Sequence, residues 1–449
     1  MMRALLAGAV LACAALGAMG QPAAAQSGED IFPFETRRFE LDNGLNAYLI
    51  HAGSPGMLAY VSVVRTGARE EVEEGVTGFA HFFEHMMFRG TEKYPNYDGV
   101  TESFGANRNA NTSQDRTFYY IVAGSEYLEQ IVDLESDRFQ NLSYAEPAFR
   151  TEAGAVLGEY QNNAYSAFSV LDRAVREKVF TTHTYRHQVI GFEADVRDMP
   201  NQYQYSLDFF RRFYRPENVV LMVVGDFDFD RAESLIREYY DGWEPGYVPP
   251  PVPVEPEQTA PRRDAVTYPG RTLPMLTLNW MAPAWSATDR QAVALELLGG
   301  IAFGPNSPIY RKLVIQERRL QALQGGFYLS RDPDFIQVLA MVTDPAEVEA
   351  IEAELLAEVE RYKTELVDEK VLADTKSAAR YGFLMGLEAH LNVANAVSRA
   401  VVNTGELEPI NDYYRTLQSI TPEDLRQAAR SILIENRRTI VTLTQEAGS

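Results

Sequence analysis

A cluster of prolines near the middle of the chain limits how its 449 residues can fold. Seven of the 23 prolines fall within residues 245–261, where they favour extended polyproline geometry and disfavour both helix and central strand. The stretches on either side, each about 200 residues long, are long enough to bury cores of their own. We therefore predict two units, at residues 26–244 and 263–449, joined by a linker at residues 245–262.

A weak internal repeat indicates that the two units are homologous. Glu217-Asn218 and Glu435-Asn436 lie 218 positions apart, and each pair precedes a run rich in β-branched and apolar residues. Such runs are typical of strands, and a helical pattern precedes each pair. The repeat predicts that both units end in the same helix–strand sequence.

Other local patterns predict a mixed α+β fold. Asp42-Asn43-Gly44 separates two short apolar runs, which is typical of a hairpin. Residues 118–122 predict another strand, and apolar residues that recur every three or four positions from Val348 to Leu366 predict an amphipathic helix. No glycine-rich phosphate loop follows the first strand, which argues against a nucleotide-binding fold.

The first 25 residues are typical of a secretory signal peptide. Arg3 supplies the positive start, residues 5–17 are almost all apolar, and Ala25 ends a small-residue cleavage site. This apolar run is short for a membrane anchor, and no later stretch is long enough, so we predict no membrane span. We expect a periplasmic or secreted protein after cleavage near Ala25.

Composition narrows the possible chemistry. The one cysteine, Cys13, lies inside the predicted signal, so the remaining chain can form neither a disulfide nor a cysteine-based metal site. The formal charge of −22 argues against nucleic-acid binding, which requires a basic face. Any metal site in the mature chain must therefore use histidine and carboxylate ligands.

The strongest chemical signal comes from His81, Glu84 and His85. Residues 78–88 predict a helix, on which the two histidines lie one turn apart, the spacing at which two imidazoles can hold one metal ion. Glu84 borders the same face, where a carboxylate can take a proton from a water whose pKa a metal lowers. This H-x-x-E-H order is that of the inverzincins, and chance would produce it roughly 0.01 times in a chain of this composition.

A catalytic zinc needs a third protein ligand. A second predicted helix, at residues 149–162, carries Glu152 and Glu159 two turns apart on one face, and the residues between them are mostly small or apolar. Two carboxylates on such a packed face call for a cationic or metal partner. The pattern alone does not decide which glutamate binds metal, and the other four histidines show no helical pairing with the motif.

These motifs resemble the pitrilysin or insulinase family of zinc metallopeptidases, in the short-chain subfamily related to the mitochondrial processing peptidase. The resemblance covers essentially the whole chain after the signal. It implies that His81, His85 and Glu159 bind one zinc ion per chain, that Glu84 is the general base and that Glu152 orients a ligand histidine. It also implies two homologous α+β halves, each an antiparallel sheet with helices packed on one side.

The resemblance extends to substrate contacts. Residues 105–112 are similar to the family's G-x-x-N-A-x-T segment, which implies that Asn109 and Ala110 contact the substrate backbone beside an exposed strand edge. By its residues alone, the stretch is also typical of a turn before a strand.

The implied reaction is hydrolysis of extended oligopeptides or unfolded segments by a zinc-activated water. His183-Thr184-Tyr185 resembles the family's H-P-Y motif, and its role is left open.

One segment departs from the family pattern. Active relatives carry an Arg and a Tyr that bind substrate, whereas the aligned positions here are Val314 and Gln321, with Arg318 and Arg319 nearby. The departure implies that this chain is the zinc-bearing subunit of a dimer, and that a zinc-less homologue supplies the Arg/Tyr pair. The alternative is a binding or assembly subunit that keeps the fold with little or no catalysis, although the intact ligand set favours a peptidase.

Overall fold

The computed structural model describes residues 30–327 and 330–446. The predicted signal peptide, with Cys13 and the cleavage site at Ala25, lies outside these residues. Within them, two sheets and their helices form the α+β fold that the sequence predicts. None of the described helices combines the length and the hydrophobicity needed to cross a membrane.

The first sheet precedes the proline cluster. Its strands are β1 (Thr36–Glu40), β2 (Asn46–His51), β3 (Met57–Val64), β4 (Asn107–Thr112), β5 (Thr117–Gly124) and β6 (Val219–Gly225). Their order in the sheet is β1-β2-β6-β3-β5-β4, which places β4 at an edge. β2 and β6 are parallel, and the other neighbours are antiparallel.

The second sheet follows the proline cluster. Its strands are β7 (Arg262–Tyr268), β8 (Met275–Met281), β9 (Leu320–Phe327), β10 (Phe335–Val342) and β11 (Arg438–Gln445). Their order is β7-β11-β8-β10-β9. Here β7 and β11 are the parallel pair, and the other neighbours are antiparallel.

The internal repeat corresponds to equivalent strands in the two sheets. β6 has a parallel neighbour, β2, and an antiparallel neighbour, β3, just as β11 lies between β7 and β8. The order β2-β6-β3-β5-β4 in one sheet matches β7-β11-β8-β10-β9 in the other. This match confirms the predicted homologous halves, and β1 is an additional strand on the first sheet. The exact boundaries of the halves stay a prediction, although residues 245–261 lie in neither helix nor strand.

The helices of the N-terminal half precede the proline cluster. They are α1 (Phe79–Met86), α2 (Tyr97–Ser103), α3 (Leu128–Asn141), α4 (Glu146–Ala164), α5 (Ala167–Val179), α6 (Glu193–Asp198), α7 (Tyr203–Phe213) and α8 (Phe229–Tyr240). The C-terminal half contributes α9 (Arg290–Phe303), the short α10 (Pro308–Tyr310), α11 (Val348–Thr364), α12 (Glu369–Gly386), α13 (His390–Thr404), α14 (Pro409–Ser419) and α15 (Pro422–Ile432).

One helix from each half packs against the sheet of the other half. In α13, Val393, Val397 and Val401 recur at intervals of one turn and are buried against β3 and β6. In α5, Leu171 and Val175 are buried in the same way against the second sheet. The two halves therefore share apolar cores in addition to the chain connection between them.

Two local predictions have different outcomes. The hairpin around Asp42-Asn43-Gly44 is present, because β1 and β2 pair in antiparallel register on either side of it. The helix predicted from Val348 to Leu366 ends at Thr364, and the backbone is extended at Glu365. Leu366 therefore lies beyond the helix and is 54% exposed, so its place on the buried face was predicted wrongly.

Candidate metal centre

Helix α1 is anchored in the core of the N-terminal half. It begins after Gly78, whose left-handed φ of 92° and close approach to the carbonyl of Ile190 leave no room for a side chain. The buried carboxylate of Glu71 accepts hydrogen bonds from the backbone N–H groups of Gly78 (2.8 Å) and Ala80 (2.7 Å), which satisfies the start of the helix. The helix faces the core with Phe79, Phe82, Phe83 and Met86.

The opposite side of α1 presents the residues of the sequence motif. His81, Glu84 and His85 are all half-buried, with the His81 side chain 12% exposed and that of His85 26% exposed. The two imidazole rings lie 4.9 Å apart between centroids and at 77° to each other. The predicted helical spacing therefore brings both rings to one face.

Helix α4 packs beside α1 and carries both candidate glutamates. It starts three residues earlier and ends two residues later than predicted, at Glu146 and Ala164. Phe149 of α4 contacts Phe82 of α1 with ring centroids 5.1 Å apart. This contact places the shared face of Glu152 and Glu159 opposite the two histidines.

Glu159 is the carboxylate that joins the histidines. Its Oε2 lies 3.6 Å from Nε2 of His81 and 3.6 Å from Nε2 of His85. One potential ligand atom from each of the three residues lies within 4.8 Å of the other two, and the described residues contain no other group of this kind. These separations suit donors that share one ion about 2 Å from each of them.

The donor set fits zinc, since two imidazoles and one carboxylate leave a position open for water in a catalytic site. Burial lowers the pKa of His81, and the neighbouring His85 lowers the pKa of Glu159, so both residues favour the forms that bind metal. The hydrogen bond to Glu152, helped by Glu159, raises the pKa of His85 to about 9. His85 would release this proton when a metal binds.

Glu152 lies behind His85 and outside the donor cluster. Its Oε1 is 3.0 Å from Nδ1 of His85, so the ring is held with Nε2 towards Glu159. Its Oε2 accepts a 2.8 Å hydrogen bond from Nε of Arg89 and contacts a second guanidinium nitrogen of the same residue. Arg89 was not singled out from the sequence, and its only signal was its place in a run that follows the motif.

A second residue missed by the sequence pattern holds Glu84. The hydroxyl of Thr112 donates a 2.7 Å hydrogen bond to Oε2 of Glu84. Thr112 is the last residue of β4, and it belongs to the segment that suggested Asn109 and Ala110 as substrate contacts. The pattern assigned it no role, because nothing local brings it near Glu84.

Asn109 and Ala110 lie in a strand, and the alternative prediction of a turn is wrong. They pair with Tyr120 and Tyr119 of β5, and the other edge of β4 has no neighbouring strand in the described sheet. Asn109 is exposed, whereas Ala110 is buried against the core that also contains α1. An open edge of this kind can accept a further strand from another chain.

The remaining histidines lie apart from the donor cluster. His183 joins the two halves, since its Nε2 is 3.0 Å from Asp332 while its Nδ1 accepts a hydrogen bond from the backbone N–H of Tyr185. Arg69 donates to the same Asp332 carboxylate at 2.5 Å. His51, His187 and His390 are not part of the cluster either.

In the segment that departs from the family pattern, Arg319 forms ion pairs and Arg318 does not, among the described residues. Val314 packs against the core of the C-terminal half, and Gln321 is exposed on β9. Arg318 is exposed, has a left-handed φ of 55° and forms no ion pair with the described residues. Arg319 is instead held by the carboxylates of Glu317, Glu347 and Glu354.

Two family models match the chain. The model described as insulinase, peptidase family M16, covers residues 56–192, which include the donor cluster. The model described as the peptidase M16 inactive domain covers residues 202–379.

Individual proteins match over nearly the full length. The zinc protease PqqE of Helicobacter pylori is 24% identical over 90% of this chain and 91% of its own. The beta subunit of the mitochondrial-processing peptidase of Caenorhabditis elegans is also 24% identical, over 91% of this chain and 90% of its own.

Solved structures share the fold. A protease from Helicobacter pylori superposes with a TM-score of 0.86 at 23% identity, over 92% of this chain and 99% of its own. The periplasmic protease PqqL from Escherichia coli superposes with a TM-score of 0.73 at 20% identity, over 92% of this chain and 48% of its own.

Proposed function

The chain belongs to peptidase family M16, and we propose that it is an exported zinc-dependent endopeptidase. One observation carries the proposal, namely the convergence of His81, His85 and Glu159 within 4.8 Å at α1, the helix that also carries Glu84. The relatives named as zinc proteases support the same reading. Export is supported by the predicted signal peptide and by the similarity to PqqL, which is a periplasmic protease of Escherichia coli.

His81, His85 and Glu159 would hold the zinc, with Glu152 orienting His85 and Arg89 orienting Glu152. Zinc bound there would polarise the scissile carbonyl and lower the pKa of the attacking water. Glu84 would take the proton from that water and pass it to the leaving amine.

The substrate in this proposal is an extended peptide. Such a peptide would add as a further strand along the open edge of β4, with Asn109 and Ala110 contacting its backbone. Backbone pairing demands an extended chain but reads little of its sequence, so oligopeptides and unfolded segments fit better than folded proteins.

Removing zinc should abolish the proposed activity. We expect the purified chain to lose peptide cleavage on treatment with a chelator and to regain it with about one equivalent of zinc per chain. Glu159→Gln should weaken zinc binding, whereas His390→Ala, a histidine outside the cluster, should leave the stoichiometry unchanged. Metal analysis and a peptide-cleavage assay measure both effects. Cleavage by fully metal-free protein would contradict the proposal.

We also propose that the chain works as one subunit of a dimer, since Val314 and Gln321 stand where active relatives place the Arg/Tyr pair. The match to a beta subunit of the mitochondrial-processing peptidase supports this idea. A zinc-less homologue that carries the pair is the favoured partner. The alternative is a weakly active or inactive assembly subunit, which this departure and the match to the model described as the peptidase M16 inactive domain both allow. The intact set of His81, His85 and Glu159 favours a peptidase instead.

Adding such a partner should raise the rate of peptide cleavage. Groups that stabilise the developing oxyanion are typically worth about 10²–10³-fold in rate, so we expect an increase of that order. The measurement compares the chain alone, the homologue alone and the mixture, after co-purification from the native source identifies the homologue. If the chain alone cleaves peptides at a rate that the homologue cannot raise, the two-subunit proposal is wrong.

A further inference from the structure

The general base proposed above is held by a residue of the sheet edge. Glu84 receives its hydrogen bond from Thr112, 2.7 Å away, and the described residues give its carboxylate no other hydrogen-bond partner. The two residues are 28 positions apart and lie on different elements, α1 and β4. The position of Thr112 therefore also determines the orientation of the Glu84 carboxylate.

The backbone holds Thr112 firmly. It pairs with Thr117 of β5, and the turn that follows is closed by a 2.8 Å hydrogen bond from the N–H of Ser113 to the carbonyl of Arg116. Its β-branched side chain has restricted rotation about χ1. The hydroxyl can thus be aimed at Glu84 at little further cost in entropy.

The direction of this hydrogen bond matters for the chemistry. A hydroxyl that donates to Oε2 restrains the rotation of the carboxylate. Oε1 receives no hydrogen bond from the described residues, which leaves it for a water molecule. One oxygen of Glu84 is therefore used for orientation and the other is free for proton transfer.

We infer that Thr112 is a positioning residue, which holds Glu84 ready for proton transfer and couples this orientation to substrate on the edge of β4. Thr112 lies two residues after Ala110 on that strand. A peptide that pairs with the edge would steady β4 and, through the Thr112 hydroxyl, the carboxylate of Glu84. The inference rests on the proposed function, because it needs Glu84 to act as the base.

Thr112→Val tests the inference, because valine keeps the shape of threonine and removes only the hydroxyl. We expect kcat to fall about ten- to a hundredfold, the factor that a hydrogen bond to a charged group is generally worth. KM and zinc content should stay close to those of the wild type, since neither ligands nor backbone pairing change. Thr112→Ser should restore most of kcat.

Thr117→Val is the matched control. Thr117 lies directly opposite Thr112, but its buried hydroxyl donates to the carbonyl of Thr66. This variant should keep the wild-type kcat, and the unfolding midpoints of both variants reveal any general loss of stability. A purely structural role for Thr112 would lower kcat in both variants in proportion to lost stability.

A double variant separates positioning from other effects. In a Glu84→Gln background there is no base to orient, so Thr112→Val should cause no further loss of the residual rate. If Thr112→Val keeps full kcat in an active wild-type background, the inference is wrong and the proposed function stands. If the zinc-loaded wild-type chain, with its partner, cleaves no peptide, the proposed function fails and the inference fails with it.

Discussion

Replacing Glu84 by glutamine is expected to lower the rate of peptide cleavage about 10²–10⁴-fold, the usual contribution of a general base, while zinc stays bound. The amide has the size of the carboxylate and can still accept the hydrogen bond from Thr112 through its oxygen. It cannot take a proton from water. Glu84 also lies outside the donor cluster, so the metal affinity has no reason to fall.

Glu159→Gln provides the contrast for Glu84→Gln. Both substitutions remove one carboxylate at the site, but only Glu159 contributes an atom to the cluster. Metal analysis should therefore find zinc retained in Glu84→Gln and reduced in Glu159→Gln, with peptide cleavage lost in both. Normal cleavage by Glu84→Gln would show that another group takes the proton.

The parts of this site that could be predicted from the sequence are those set by a single helix. The spacing of His81 and His85 on α1, and that of Glu152 and Glu159 on α4, follows from 3.6 residues per turn. Which glutamate meets the histidines depends on how α4 packs against α1, through contacts such as Phe149 with Phe82. No periodicity within either helix contains that information.

The residues that were missed act across distant parts of the chain. Arg89 and Glu152 are 63 positions apart, and Thr112 and Glu84 are 28 apart, so each pair meets only once the fold has formed. The packing of α5 and α13 against the sheet of the opposite half was not predicted, for the same reason. Each helix has an apolar face at helical spacing, but nothing in that spacing says which sheet the face will cover.

The fold-level prediction succeeded because a repeat constrains topology as well as local structure. The Glu217-Asn218 and Glu435-Asn436 pairs precede β6 and β11, which occupy equivalent places in their sheets. The end of α11 was predicted less well, because apolar residues can continue at helical intervals beyond the residue at which the helix ends. Leu366 continues the period after the backbone has become extended.

A buried ion pair near the C-terminus of α1 should have a large effect on stability. The guanidinium of Arg138 binds the carboxylate of Glu135 at 2.5 Å, and both side chains are only 1% exposed. We expect Arg138→Met to lower the free energy of unfolding by about 3–5 kcal/mol, because the carboxylate would stay buried without its partner. Chemical unfolding followed by intrinsic fluorescence measures the loss.

The partner substitution should offset much of this loss. In Arg138→Met/Glu135→Gln no charge is left buried, and the glutamine oxygen can still accept the hydrogen bond that Glu135 receives from Tyr97 at 2.9 Å. The double variant should therefore be more stable than Arg138→Met alone. A double variant that is less stable than Arg138→Met would show that packing, rather than the unpaired charge, causes the loss.

The same arginine contacts the C-terminal end of α1, so its loss should also affect the proposed zinc site. Arg138 donates a 3.3 Å hydrogen bond to the carbonyl of Met87, the residue that caps the C-terminus of α1, where a positive charge is favourable. Its guanidinium also lies against aromatic rings that would lose this contact, namely those of Phe88, Tyr97, Tyr119 and Phe139. Since His85 lies in the last turn of α1, we expect Arg138→Met to weaken zinc binding as well as stability. Arg150→Met, which breaks an exposed pair with Glu146 on α4, should change neither by a comparable amount.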